Sequence, residues 1–254
     1  MISAAQHPRA VARAFGRAGG AVGLLMLIAA FALKLAYSHA GADQLEWVLA
    51  PSSWLASELG GLDLTREAGA GFIMHRPRMV VGPACAGVNF LVVSWLALFF
   101  GLQARFEGAR RKLVVWAVSL LAAYLATLAT NSLRIVLAAH LYDLPIYAGW
   151  LTKARLHRVL GVVLYCSTLL AVCRIADGCT SRAPLSATAR LLAPFGWYLA
   201  VALGVPLANR ALARDPGQFL EHAALTLGVG ALVVLLFRVI GRVVDRVCSR
   251  STTS

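Results

Sequence analysis

Apolar residues along this chain come in unbroken runs, without the alternation of a half-buried strand or the periodic stripe of a surface helix. The runs read "AVGLLMLIAAFAL" from Ala21, "VNFLVVSWLALFF" from Val88, "LVVWAVSLLAAYLATLAT" from Leu113, "VLGVVLYCSTLLAVC" from Val159, "LLAPFGWYLAVALGV" from Leu191 and "ALTLGVGALVVLLF" from Ala224. Extended over their flanks, they predict six helical spans at roughly 19–38, 85–103, 113–140, 157–175, 190–208 and 222–240. Each approaches the ~20 residues that cross a ~30 Å hydrocarbon layer. The third is long enough to project beyond that layer or to break near Asn131. The mixed stretch 41–82 holds an amphipathic piece, "LEWVLAPSSWLASELG", and an extended approach, "FIMHRPRMVVGP". The pattern therefore predicts an all-α, multi-pass transmembrane bundle of about six spans, with residues 1–254 forming one integral membrane domain and no visible repeat.

Composition agrees. Of the 254 residues 59% are hydrophobic and 14% charged, against about 45–50% and about 25% in soluble domains. The net charge of +13 would suggest nucleic acid in a soluble chain; its distribution gives another reading. With the N-terminus in the cytoplasm, the inner segments carry Arg9, Arg13, Arg17, Arg105, Arg110, Arg111, Lys112, Arg174, Arg182, Arg190, Arg238, Arg242, Arg246 and Arg250, against only Glu107, Asp177 and Asp245. That is the positive-inside pattern, and an even number of spans returns the basic C-terminus to the cytoplasm. No nucleic-acid partner is implied; the partner is the lipid bilayer. A rival reading of the first span is a signal peptide cut after Ala40. Five spans would then remain, and the Cys85 region would stay outside.

This topology brings three span ends to the outer surface. The first is Cys85, flanked by Pro83, Ala84, Ala86 and Gly87. Among residues too small to cover it, a thiol at a helix N-terminus sits in the positive end of the helix dipole, which favours thiolate. The helix's first N–H groups could bind an oxyanion. The second end carries Arg134. Charge inside a span is expensive and usually faces a bundle interior, and Thr127, Asn131 and Arg134 form one polar stripe at i+4 and i+3 spacing. The bland alternative is an arginine snorkelling to headgroups. The third end carries His157, with Gly161 one turn later allowing close helix packing; His140 has an equal claim on position alone. Trp47 and Trp54 read as interfacial anchors. Cys166 and Cys173 lie deeper in a span and read as inert packing residues. The five cysteines make no CxxC pair and no zinc spacing, so neither a metal nor a cofactor is implied.

"CAGVNF" at Cys85, "NSLRI" at Asn131 and "HRVLGVVLY" at His157, in that order on successive outer ends, resemble the exosortase/archaeosortase family. The "HRxxG" form leans towards the subgroup called exosortase K. The resemblance covers Cys85 to Tyr165, within a catalytic core of about 80–170. It implies a membrane cysteine peptidase or transpeptidase in the cell (inner) membrane, its active site facing the periplasmic or extracytoplasmic side. The implied substrates are exported proteins with a C-terminal sorting signal of the PEP-CTERM kind: a short motif, a hydrophobic helix and a basic cluster. By the same resemblance Cys85 is the nucleophile, Arg134 the stabiliser of oxyanion or substrate, and His157 the proton-transfer residue; from the residues themselves, Asn131 is placed to hold the guanidinium, and Gly87 and Gly161 leave room beside the thiol and the imidazole. Two readings from other classes compete: a haem-binding carrier ligated by His140 and His157, and an anion transporter subunit using Arg134.

Overall fold

A computed structural model describes residues 17–179, 187–208 and 214–251. Arg9, Arg13 and Arg182 of the inner basic set lie outside the described residues. The described chain is mostly helical: α1 (Arg17–His39), α2 (Glu46–Gly60), α3 (Val88–Gln103), α4 (Ala109–Leu141), α5 (Lys153–Gly178), α6 (Ala187–Ala202), α7 (Gly204–Ala208) and α8 (Pro216–Ser251). One small antiparallel sheet of three strands, β1 (Thr65–Glu67), β2 (Gly71–Met74) and β3 (Met79–Val81), interrupts the helices in the order β1-β2-β3.

Among the described residues, five helices are long and apolar enough to cross a membrane: Gly20–His39, Pro83–Gln103, Ala109–Leu141, Lys153–Gly178 and Pro216–Val243. The segment expected at 190–208 is instead a shorter apolar stretch, Leu191–Leu207. It is divided between α6, with Pro194 inside it, and α7. α6 runs through Pro194, and the interruption falls at Leu203; Pro206 lacks the donor that would bond the Ala202 carbonyl and crowds that turn, so this segment lacks one uninterrupted helix. The 33-residue α4, by contrast, runs through Asn131 without a break. Large apolar side chains stand exposed along α1 (Leu24, Ile28, Phe31), α4 (Val114, Val118, Leu121) and α8 (Leu232, Leu235, Ile240). Faces of that extent are unsuited to water and suited to lipid. The chain is a membrane protein.

Two compact units divide it: Met1–Tyr147 with Ile175–Arg182, and Ala148–Arg174 with Ala183–Ser254. In the first, α3 is the central helix. Its apolar residues occur all round the helix, and most of it is buried, including Phe90, Leu91, Trp95 and Phe99. It packs on α1 and α4, while α2 lies on the later half of α4. Small residues let the backbones approach: a Cβ on Gly60 would meet the Val136 side chain at 2.9 Å. Two hydroxyls of α4 bond within the helix, Thr127 on Ala123 O and Thr130 on Ala126 O. Ser132 also reaches across to Ser52 O at 2.9 Å. Tyr124 stacks on Trp47 and donates to its carbonyl oxygen at 2.7 Å.

The 41–82 stretch is therefore an ordered cap rather than a loop. The amphipathic piece is α2, and the extended approach is β2 and β3. Arg66 of β1 binds Glu46 at 2.8 Å and Asp43 at 3.5 Å; the Asp43 carboxylate also accepts the Gly69 N–H. One apolar cluster joins the cap to the helices through Leu45, Leu49, Val81, Ala86, Leu128 and Ile135, with Cys85 packed against it. In the second unit Cys166 and Leu170 of α5, Leu191 of α6 and Val233 of α8 form a separate apolar cluster.

Candidate active site

The polypeptide reaches Cys85 along β3. Val81 is fully buried, Gly82 is extended, and Pro83–Cys85 make a single 3₁₀ turn. Proline at the first position suits this turn, since its missing donor would be unused there. The turn closes with Cys85 N–H donating to Gly82 O at 2.8 Å and Ala86 N–H to Pro83 O at 3.1 Å. Gly87 follows in the left-handed region, at φ 71°, and caps α3, whose first residue is Val88. This corrects one expectation. Cys85 does not open the long helix but stands three residues before it, because the chain must turn at Gly87. Room beside the thiol is one reason for a small residue at Gly87; the positive φ is the stronger one, since an L side chain there is strained. The N–H groups of Val88 and Asn89 precede the first intrahelical bonds, so they are the donors that this helix end offers.

Asn131 and Arg134 bring the polar stripe of α4 to this turn. Asn131 is fully buried, and its Nδ2 donates to the Cys85 carbonyl oxygen at 2.5 Å. Arg134 follows three residues later at only 6% exposure. A guanidinium so enclosed is held within the protein and does not extend along the surface to headgroups. Thr127 completes the stripe and is fully buried. Cys85 itself is half-buried and forms no disulfide.

Three further residues join the turn that sequence reasoning passed over. Tyr37 of α1 donates its hydroxyl to Pro83 O at 3.1 Å. Its phenol lies within electrostatic reach of both Arg134 and Cys85. Lys34, one turn earlier, sits 4.8 Å from the Tyr37 ring centroid and donates to Asn89 Oδ1 at 2.7 Å. A signal was present. Lys34 is the single charge in the first span, and Tyr37 falls on its face at i+3. Below these groups, a groove of about 560 Å³ is lined by Leu33, Trp47, Leu91, Trp95, Trp116 and Tyr124 among others, nearly all apolar.

His157 belongs to the second unit, as does Gly161. It is half-buried in the first turns of α5, and Gly161 is buried one turn later. Its neighbours Arg155 and Arg158 both hold Glu221 of α8, at 2.9 and 3.5 Å. Arg155 also packs over Trp150 and donates to its carbonyl oxygen at 2.8 Å. That network fixes the start of α5, on which His157 rides. His140 is exposed, with Nδ1 bonded to Val136 O of its own helix at 2.9 Å. The structure thus brings Cys85, Asn131 and Arg134 together within one unit and places His157 in the other. Cys166 is buried in its apolar cluster. Among the described residues no three His, Cys, Asp or Glu side chains converge as a metal site would require.

No protein-family model, curated protein or solved structure matches the chain.

Proposed function

We propose that this membrane protein is a cysteine peptidase or transpeptidase of the exosortase/archaeosortase kind, cleaving a membrane-tethered protein at its C-terminal sorting tail. The observation that carries the reading is the Asn131 bond to the Cys85 carbonyl. It fastens the thiol-bearing turn to the helix that holds a buried arginine one turn further on.

In this reading the substrate's hydrophobic helix lies in the bilayer, against the apolar groove between α1, α3 and α4. Its motif then reaches the Cys85 turn. The Cys85 thiolate attacks the scissile carbonyl carbon. Negative charge moves to the carbonyl oxygen, where Arg134 and the first N–H groups of α3 stabilise it. Collapse breaks the C–N bond; the leaving amine takes a proton from His157, and a thioester to Cys85 remains. An amine or water then attacks the thioester, giving its proton to His157, and the product leaves with Cys85 restored. The role of His157 comes from the family order of Cys, Arg and His. The protein works in the cell inner membrane with this site on the extracytoplasmic side, and its partners are exported proteins bearing such tails.

The test is the size, on immunoblot, of a co-expressed substrate with a sorting tail. Cys85→Ala abolishes tail removal and leaves the protein folded, because alanine costs little where small residues already surround the site. His157→Ala is close to inactive, while His140→Ala is mild. The double variant Cys85→Ala/His157→Ala is no worse than Cys85→Ala alone, since members of a catalytic unit are not additive. Full processing by Cys85→Ala sinks the assignment. An inactive His140→Ala beside an active His157→Ala moves the proton-transfer role to His140.

A further inference from the structure

We propose that the first membrane helix is a working part of this site, with Lys34 and Tyr37 as positioning residues for Cys85. The inference rests on the peptidase reading only in taking Cys85 as the reacting group; the geometry stands apart from it.

The thiol turn is held from two sides. On one, Asn131 of α4 binds the Cys85 carbonyl. On the other, the Tyr37 hydroxyl binds the Pro83 carbonyl oxygen. That oxygen already accepts the Ala86 N–H, so the Tyr37 bond fills its second lone pair and fixes the plane of the Pro83 peptide. Pro83 and Cys85 are the first and last residues of the 3₁₀ turn, so the two clamps grip both its ends. Lys34 bridges from Tyr37 to the helix after the turn. Its Nζ lies over the Tyr37 ring and donates to Asn89 Oδ1, and Asn89 is one turn beyond Cys85. The ammonium is thereby fixed in register with the start of α3, adding a second positive charge beside Tyr37.

A lysine in a membrane helix that served only as an anchor would snorkel to the interface. Lys34 is half-buried and is tied instead to a side-chain oxygen of α3, that of the exposed Asn89. α1 packs on both α3 and α4, so the two residues come from a helix that belongs to the packing of the unit. Removal of the segment up to Ala40 would remove both positioning residues. On this proposal the functional protein retains this helix, against the signal-peptide reading.

The experiment measures the alkylation rate of Cys85 by iodoacetamide at neutral pH on the full chain in nanodiscs, read from the Cys85 peptide by mass spectrometry. Exposed Cys179 is the internal control. Tyr37→Phe keeps the ring under Lys34 and deletes one hydrogen bond; it slows Cys85 about fivefold, the factor expected for one net hydrogen bond, and leaves Cys179 unchanged. Lys34→Met slows Cys85 similarly. Lys34→Arg restores the rate to within about twofold of the parent, since the cation and its donor are kept. With substrate, Tyr37→Phe lowers kcat and leaves KM in place. Unchanged or faster Cys85 alkylation in both Tyr37→Phe and Lys34→Met, at a Tm matching the parent, overturns the proposal. So does Lys34→Arg behaving like Lys34→Met. If Tyr37→Phe does not fold, the lysine pair decides alone. An intact mass showing the isolated protein beginning after Ala40 also overturns it. Normal processing by Cys85→Ala together with slowed alkylation in Tyr37→Phe would end the peptidase reading and leave the clamp standing.

Discussion

Asn131 stands between the two groups that the proposed chemistry needs, its amide on the Cys85 carbonyl and Arg134 three residues further along the same face. Asn131→Ala leaves a carbonyl without its donor in a buried setting, which costs about 1–3 kcal/mol. The expected result is a lowered Tm in detergent and processing that falls further than stability alone explains. Asn131→Asp, of the same size, is no better, because a carboxylate cannot donate. Arg134→Lys keeps the charge and loses the planar fork; tail removal falls by about tenfold or more, the scale of removing one oxyanion donor, with Tm little changed. Processing at the parental level in Arg134→Lys would show that a point charge suffices there. The polar stripe Thr127–Asn131–Arg134 was legible in the sequence because polar residues inside an apolar run are costly and stand out. Lys34, Tyr37 and Asn89 were not joined to the site. Spacing along one helix predicts a shared face, but says nothing of which carbonyl on another segment that face meets.

Among the elements, the long helices were legible from their apolar runs, whereas the cap was read only in outline. Its strands hold three or four residues each, and β2 is buried at Gly71 and Met74 with intermediate residues between them, so no clean alternation marked them. The sheet depends on a close approach that sequence spacing does not disclose. Gly71 pairs with Glu67 and has φ 108°, and a Cβ there would lie 2.5 Å from the Val81 carbonyl oxygen. Gly69, with φ 75°, has open space around it. Gly71→Ala must therefore move backbone as well as bear strain of about 1–3 kcal/mol, while Gly69→Ala bears the strain alone. Limited proteolysis of the 61–82 segment should show Gly71→Ala cut much faster than Gly69→Ala. Because β3 leads directly into Gly82 and the Cys85 turn, Gly71→Ala should also slow Cys85 alkylation. Equal proteolysis of the two variants would remove the steric argument. The start of α3 was misplaced at Cys85 for a related reason: a glycine's left-handed turn is invisible in hydropathy, which runs smoothly from Ala86 into the helix.

Across the whole molecule, the distribution of charge and the length of α4 bear on the same question of sidedness. Lys112 and Arg134 are 22 residues apart on one continuous helix, an axial rise of about 33 Å at 1.5 Å per residue. That nearly equals the ~30 Å hydrocarbon layer, so when Lys112 sits at one boundary Arg134 sits at the other. Arg105, just beyond α3, pairs with Asp177 near the end of α5. The far end of α3, the start of α4 and the end of α5 therefore share the boundary of Lys112, and the proposed topology puts that boundary, with its excess of arginine and lysine, in the cytoplasm. Under that proposal Cys85, at the opposite end of α3 and bonded to Asn131 near Arg134, falls at the outer boundary, the depth at which the motif of the proposed tail would meet its hydrophobic helix. Alkaline phosphatase fused within 41–82 should be active and, fused after Lys112, inactive; green fluorescent protein at the same points should give the reverse. A fluorescent fusion within 41–82 would place Cys85 on the cytoplasmic face. The proposed cleavage of exported proteins would then fail on geometry alone, whatever the reactivity of the thiol.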